Sequence, residues 1–281
     1  MMVALLSFPG AGLADSILLS ASSFTLLGGT TISSSGATNI THGNVGLSPG
    51  ATTGITGFPP ANITGGSIID TGAITDQAMA DLMTATAGLA GMPFSMNLTD
   101  TPDLGGRTLL PGVYRFDSAA ALNGVLTLDA NGQNDAYWVF QIGTALTTGA
   151  SAAVISGNYG SNGGNDDGIF WNVGSAITFG ANNLMLGNYL AGTSITFGTN
   201  TSGEGRGLAL AAITLSSSLD NTGIDSQGGP FGSDWTGGLT YGPGGSVVPI
   251  PEPVAFQWLV SLLALVPAIK VIMTNKKTIR T

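Results

Sequence analysis

The sequence predicts an all-β chain with one long helix, folded as a parallel β-solenoid (β-helix) with that helix packed alongside. Three observations carry the expectation. Short runs of Ile, Leu, Val and Phe recur through 281 residues that include 44 Gly and only 8% charged residues, a pattern of many short strands broken by turns rather than of disorder. Four segments stack when the chain is aligned on itself: Ala145-Leu-Thr147-Thr-Gly, Ala176-Ile-Thr178-Phe-Gly, Ser194-Ile-Thr196-Phe-Gly and Ala212-Ile-Thr214-Leu-Ser. A single segment, Thr75 to Leu89, spaces its apolar residues helically.

The strands come first in the argument. Thr178, Thr196 and Thr214 stand 18 residues apart, and Thr147 precedes Thr178 by 31, one period plus 13 residues supplied by the Gly- and Asn-rich stretch 158–167. A looser fifth copy, Val125-Leu-Thr127-Leu-Asp, lies 20 residues before Thr147. A strand at the same place in every period is what a parallel solenoid requires, because each coil returns the chain to stack on the last at about 4.8 Å. Side chains alternate along a strand, so Leu146, Ile177, Ile195 and Ile213 form one buried ladder, each worth about 1.5–3 kcal/mol on burial. Ala145, Thr147, Ala176, Thr178, Ser194, Thr196, Ala212 and Thr214 then share the opposite, outward side.

The helix is expected over about 75–90. Ala78, Met79, Leu82, Met83, Thr86 and Leu89 fall on one side, Thr75 or Asp76 caps its start, and Gly88 and Gly91 end it before Pro93.

The ends read as addresses. Residues 1–14, MMVALLSFPGAGLA, have the apolar run and small residues of a signal-peptide remnant before Asp15, without its cationic start. Residues 228–250 are rich in Gly and Pro and read as a flexible stalk joined to the domain 15–227. Pro251-Glu252-Pro253 is followed by an apolar run, Val254 to Ile269, that continues to Met273 and ends in Lys276, Lys277 and Arg280. This order resembles the PEP-CTERM sorting signal of bacterial envelope proteins, with a transmembrane helix just long enough to cross a bilayer. The expectation is an exported protein at the cell surface or outside it, with envelope sorting machinery and the membrane as partners of residues 251–281.

Charge and composition exclude several classes of function. Between Asp15 and Val248 there are 15 acidic residues against Arg107, Arg115 and Arg206, a formal charge of −12. No nucleic acid is expected as a partner, since phosphate binding needs clustered bases. No cysteine is present, so there are no disulfides and no thiolate sites. Solenoid lyases and hydrolases need paired carboxylates with a base or bound calcium. Here the three Arg are scattered, each reading as an ion-pair or carbonyl-capping residue, and the single His42 lies in a turn-like Thr-His-Gly-Asn stretch. One copy of Gly163-Gly-Asn-Asp166-Asp167-Gly reads as a loop and not as a tandem calcium repeat. The chain is expected not to be an enzyme, to need no cofactor or metal, and to act as a monomer.

What remains is the outward row: small, uncharged residues with a Thr in every coil. Such a surface is flat and repetitive and lacks the convergent polar groups of a ligand pocket. Ice is a solid with a repeating surface. Methyl groups that order water, alternating with hydroxyls that join the lattice, suit it, and a rigid stack loses little entropy on binding. The competing reading is a structural or carbohydrate-adhesive envelope protein that binds through exposed aromatics such as Trp235 and Tyr241.

Residues 16–227 also carry a set of Gly and Pro turns in a fixed order. These include Phe24-Thr-Leu-Leu-Gly-Gly-Thr-Thr, Ile40-Thr-His-Gly-Asn-Val-Gly-Leu-Ser-Pro-Gly, Ile55-Thr-Gly-Phe-Pro-Pro, the helix with Gln77 to Leu82, and Leu104-Gly-Gly-Arg-Thr-Leu-Leu-Pro-Gly-Val-Tyr. Leu126-Thr-Leu-Asp-Ala-Asn-Gly, Ala136-Tyr-Trp-Val-Phe-Gln-Ile-Gly, Phe170-Trp-Asn-Val-Gly-Ser-Ala-Ile-Thr and Gly205-Arg-Gly-Leu-Ala-Leu follow. In this set the chain resembles the bacterial and fungal ice-binding (antifreeze) family DUF3494. The resemblance implies an irregular right-handed β-solenoid with a helix alongside, and an ice crystal surface as the partner of one flat face.

Overall fold

A computed structural model of the chain describes residues 16–216, 222–225 and 234–251. The signal-peptide remnant, the Glu252-Pro253 part of the sorting motif and the apolar C-terminal run lie outside the described residues. No helix among the described residues is long and apolar enough to cross a membrane. By contacts the chain divides into a body, residues 1–249, and a second unit, residues 250–281.

The body is a solenoid of parallel strands with three walls. One wall is a sheet of seven strands in the spatial order Ala120–Leu122, Leu146–Thr148, Ile177–Thr178, Ile195–Phe197, Ala212–Leu215, Thr31–Ser34 and Ile55–Thr56. The other two walls belong to one 15-stranded sheet. It folds between them where the long strands Leu184–Ala191 and Ser202–Ala209 pass through Gly187 and Gly205, both at positive φ. The 13-residue insertion does not disturb the stack, for Thr147 and Thr178 are direct partners across adjacent strands.

Coil order departs from sequence order. The strand Phe24–Gly28 pairs with Ser202–Ala209, and Thr31–Ser34 with Ala212–Leu215, so the first coils stack on the last. The helix, Ala73–Ala90, then carries the chain back toward the strand Met96–Asn97 at the far end. Its 18 residues cover about 27 Å, and the remaining distance is crossed by residues 91–95.

The interior is filled by the inward ladders. Leu146, Ile177, Ile195 and Ile213 are 0–1% exposed, as the alternation predicts. Beside them a column of rings, Tyr114, Phe140, Trp171 and Tyr189, stacks with centroids 5.7, 3.9 and 5.4 Å apart. The indole N–H of Trp138 donates to the Leu109 carbonyl and that of Trp171 to Leu186, which satisfies both in the core.

The helix packs on one wall through Ala78, Met79, Leu82, Ala85 and Leu89, against Phe24, Leu27, Val113, Val139, Phe170, Leu190 and Leu208. Two sequence expectations shift here. Met83 is 56% exposed and Ala85 takes its place in the contact, because the wall's bulky rows leave room for a small residue close to the helix. The helix also starts earlier, at Ala73. Thr75 lies inside its first turn, where its hydroxyl accepts the Gly72 N–H.

Two further corrections follow from the stack. The segment Val125–Asp129 is not a copy of the Thr-bearing strand; it pairs with Thr108–Leu109 and Ala153–Gly157 on another wall, and its coil contributes Ala120–Leu122 to the seven-stranded sheet. Alternation identifies a strand but not the side of the coil it occupies. The stalk expected over 228–250 is, from Asp234 onward, part of the body. Trp235 is 1% exposed, Ile169 N–H donates to its carbonyl, and a hairpin of Leu239–Tyr241 with Val247–Pro249 brings Val247 against the helix at Gly88. Arg206, 3% exposed, holds this segment through Asp234 at 2.8 Å.

Candidate ice-binding face

The seven-stranded sheet aligns its outward residues in rows. One row runs Ala121, Thr147, Thr178, Thr196, Thr214, Ser33 and Thr56, each the direct partner of the next. Two residues earlier on each strand a second row runs through Ala145, Ala176, Ser194, Ala212 and Thr31. Thr31 and Ala212 are direct partners, and the carbonyls of Ala145, Ala176 and Ser194 accept from the Ala120, Leu146 and Ile177 N–H groups of the preceding strand. Along one edge lies a third row, Thr144, Ser175, Thr193, Ala211 and Thr30, joined by backbone N–H to carbonyl bonds from coil to coil. All eight residues expected on the outward side therefore stand together. None is buried: Thr147 and Thr178 are exposed and the other six are half-buried.

Sequence reasoning missed Ala121, Ser33, Thr31, Thr56 and the edge row. Thr30-Thr31-Ile-Ser33 and Thr53-Gly-Ile-Thr56 repeat the pattern, but at spacings unrelated to 18, because they join the stack from the other end of the chain. Ala121 carries no Thr to mark it.

Glycine shapes the margins. At the edge beside Thr144 and Ser175, Gly143, Gly174 and Gly192 stack so closely that a Cβ on Gly174 would stand 2.4 Å from the Gly143 carbonyl oxygen, and one on Gly192 2.3 Å from that of Gly174. Gly180 and Gly198 do the same at the opposite edge, at 2.6 and 2.5 Å from the carbonyl oxygen of the preceding glycine. At these glycine positions the coils approach each other closely, backbone on backbone. The rows themselves contain no charged side chain and no aromatic.

The three arginines are held locally. Arg107 donates to the Thr101 and Asp103 carbonyls, Arg115 pairs with Asp117, and Arg206 with Asp234. Burial lowers the Arg206 pKa, and the facing Asp234 carboxylate opposes that shift. Among the described residues no group of three or more His, Asp or Glu side chains could hold a metal ion. The aromatics named for carbohydrate binding are not displayed. Trp235 is in the core, and Tyr241 is half-buried with its hydroxyl donating to the Ile17 carbonyl.

The profile described as Ice-binding-like matches residues 26–220. The chain belongs to this family. An ice-binding protein of Nostoc sp. (strain HG1) is 44% identical over 143 residues, a match that spans 51% of this chain and 51% of that relative. Among solved structures, the ice-binding protein of the Antarctic ascomycete Antarctomyces psychrotrophicus superposes with a TM-score of 0.66 at 37% identity, covering 76% of this chain and 97% of that one. An ice-binding protein from an Antarctic biological consortium gives 0.66 at 34% identity, over 79% and 95%. These two solved structures match the present chain over nearly their whole length, whereas the Nostoc relative is matched over about half of its own.

Proposed function

We propose that this chain binds ice crystals through the seven-stranded sheet, and that Ala145, Thr147, Ala176, Thr178, Ser194, Thr196, Ala212 and Thr214 form the centre of the contact, extended by Thr31, Ser33, Thr56 and Ala121. The observation that carries this reading is the unbroken row of Ala, Ser and Thr across all seven strands. Each Thr supplies a methyl and a hydroxyl at the repeat of the strands, about 4.8 Å along the stack. A rigid lattice of such groups meets a crystalline one with little ordering cost. The names of the relatives support the same partner.

Adsorbed protein restrains growth or recrystallisation of the crystal, or attaches the bearer to it. Ice is met outside the cell, which agrees with export. Val247–Pro249, at the end of the body, lie beside the helix wall and not on the seven-stranded sheet, so a sorting signal and membrane helix over 251–281 suit display at the surface.

Thr196 occupies the central strand. Thr196→Tyr is expected to abolish faceting of ice crystals and thermal hysteresis in the purified chain while the melting temperature stays within a few degrees of the parent, as for an exposed substitution. Undiminished faceting in the variant would move the site to another wall.

A further inference from the structure

On the helix wall, Asn97, Arg115, Gln141 and Asn172 form one outward row, each the direct partner of the next. The helix lies against this row and leaves beside it a concavity of about 270 Å³, lined by Thr86 and Ala90 of the helix, by Arg115, Gln141 and Asn172, and by Gly143 and Gly174 at the turn.

The polar groups here are only half used. Gln141, 8% exposed, donates both hydrogens of its carboxamide to the helix, to the Leu89 carbonyl at 2.7 Å and the Met92 carbonyl at 2.9 Å. Asn172, 7% exposed, donates to the Thr86 carbonyl at 3.0 Å. Because carbonyls take the nitrogens, the identity of each amide oxygen is fixed, and each faces away from its helix partner. Neither oxygen has a hydrogen-bond partner among the described residues. Both oxygens therefore reach solvent at the concavity, where water or a ligand hydroxyl can donate to them. Arg115 directs its Nε to Asp117 at 2.6 Å and sets its guanidinium over the Phe94 ring, 5.4 Å from the centroid, while its two terminal amino groups donate no hydrogen bond among the described residues.

We propose that this concavity is a second binding site, for a neutral hydroxyl-bearing ligand: a sugar unit of a polysaccharide or a free polyol. Hydroxyls both donate and accept, so one ring can give hydrogens to the Gln141 and Asn172 oxygens, one strand spacing of about 4.8 Å apart, and accept from the Arg115 guanidinium. Charged ligands fit worse. The Asp117 carboxylate at the rim and the acidic body repel an anion, and the guanidinium repels a cation. The contact is shallow and has few bonds, which implies affinity on the order of millimolar. The site lies across the Gly143 and Gly174 turn from Thr144 and Ser175, so its occupant leaves the seven-stranded sheet free. It does not use Trp235 or Tyr241.

The test is a titration of the full chain with glucose, glycerol and dextran, followed by saturation-transfer NMR, beside the variants Arg115→Leu and Ala90→Trp. Arg115 and Ala90 are exposed, and the new indole fills the concavity. The expected result is saturable binding of glucose, weakened about tenfold in either variant, with ice faceting retained in both. Dextran exceeding glucose points to a polysaccharide, and glycerol equalling glucose points to a free polyol. Absence of saturable binding by all three probes, or binding unchanged in both variants, overturns the proposal. Should Ala90→Trp fail to fold, Arg115→Leu still decides. Thr196→Tyr keeps sugar binding, so failure of the ice reading and failure of this one are separable.

Discussion

Arg206 is the residue on which the C-terminal part of the body hangs. Its guanidinium donates to the Ser22 carbonyl, the Asn188 side chain, the Asp234 carbonyl and the Asp234 carboxylate. Arg206→Met removes every one of these donors and leaves the partners unpaired. A buried pair broken from one side costs about 3–5 kcal/mol, and with Asp234 one-third exposed the lower end is expected, read as a fall in the urea midpoint. Sequence alone read Arg206 as an ion-pair or carbonyl-capping residue and did not identify Asp234, because the Gly- and Pro-rich context of residues 228–250 masks a Trp and an Asp that a true linker would not need.

Asp103 and Tyr189 illustrate the acid and alkaline sides of the pH response. For Asp103, partial burial raises the pKa, but hydrogen bonds from the Asn123 side chain and from the Gly105 and Asn123 amides, with Arg107 nearby, outweigh it and hold the carboxyl below its usual range. Its stabilisation is therefore complete above about pH 4 and is lost as pH falls through the depressed folded value. Burial pushes the Tyr189 hydroxyl well above its usual value. That contribution is present below about pH 10 and is lost as pH rises further. The melting temperature should be level between about pH 5 and pH 9 and drop on both sides. A maximum near pH 7 with steep flanks, seen by calorimetry, would contradict this.

At the scale of elements, the helix and the seven-stranded sheet were both legible, for different reasons. The helix has a 3.6-residue pattern that no strand shares. The sheet betrayed itself through Thr178, Thr196 and Thr214, because identical coils leave identical spacings. What was not legible is which wall a strand joins, as Val125–Asp129 shows: neighbouring walls of one coil use the same alternation. The glycine columns were visible as residues but not as margins, since their role depends on the carbonyl beneath each one. Gly192→Ala puts a Cβ 2.3 Å from the Gly174 carbonyl oxygen. It is expected to cost about 2 kcal/mol or more and to bow the sheet, so ice faceting falls together with the urea midpoint. A substitution with neither effect would show that the turn opens freely. Ser33→Tyr, by contrast, touches only the outward row on the strand Thr31–Ser34. It should weaken ice faceting without lowering the midpoint, and if faceting is unchanged the contact does not extend to the first coils.

For the whole molecule, the three walls have separate tasks. One offers repeated small residues, one carries the helix, and the third bears Val125, Ile155 and Leu184, each more than 40% exposed. The order of coils was hidden from the sequence because the strand Thr31–Ser34, on which Ile55–Thr56 stacks in turn, pairs with Ala212–Leu215, some 180 positions later. Only a long-range pairing rule could have placed them.

That arrangement constrains how the molecule is made. On a ribosome the strand Thr31–Ser34 emerges early and has no neighbour on its Ala212 side until that residue has also appeared. The helix leaves with it, before most of the wall it will cover. A growing chain can zip its middle coils in order, from Tyr114 through Trp171 to Tyr189, but the pieces from the beginning must wait for the end. Pairings so distant in sequence are slow to close, and the waiting strands keep open edges. Folding from full-length denatured chain should therefore proceed about as well as folding during synthesis, and a chain released before Ala212 should lack the finished surface altogether.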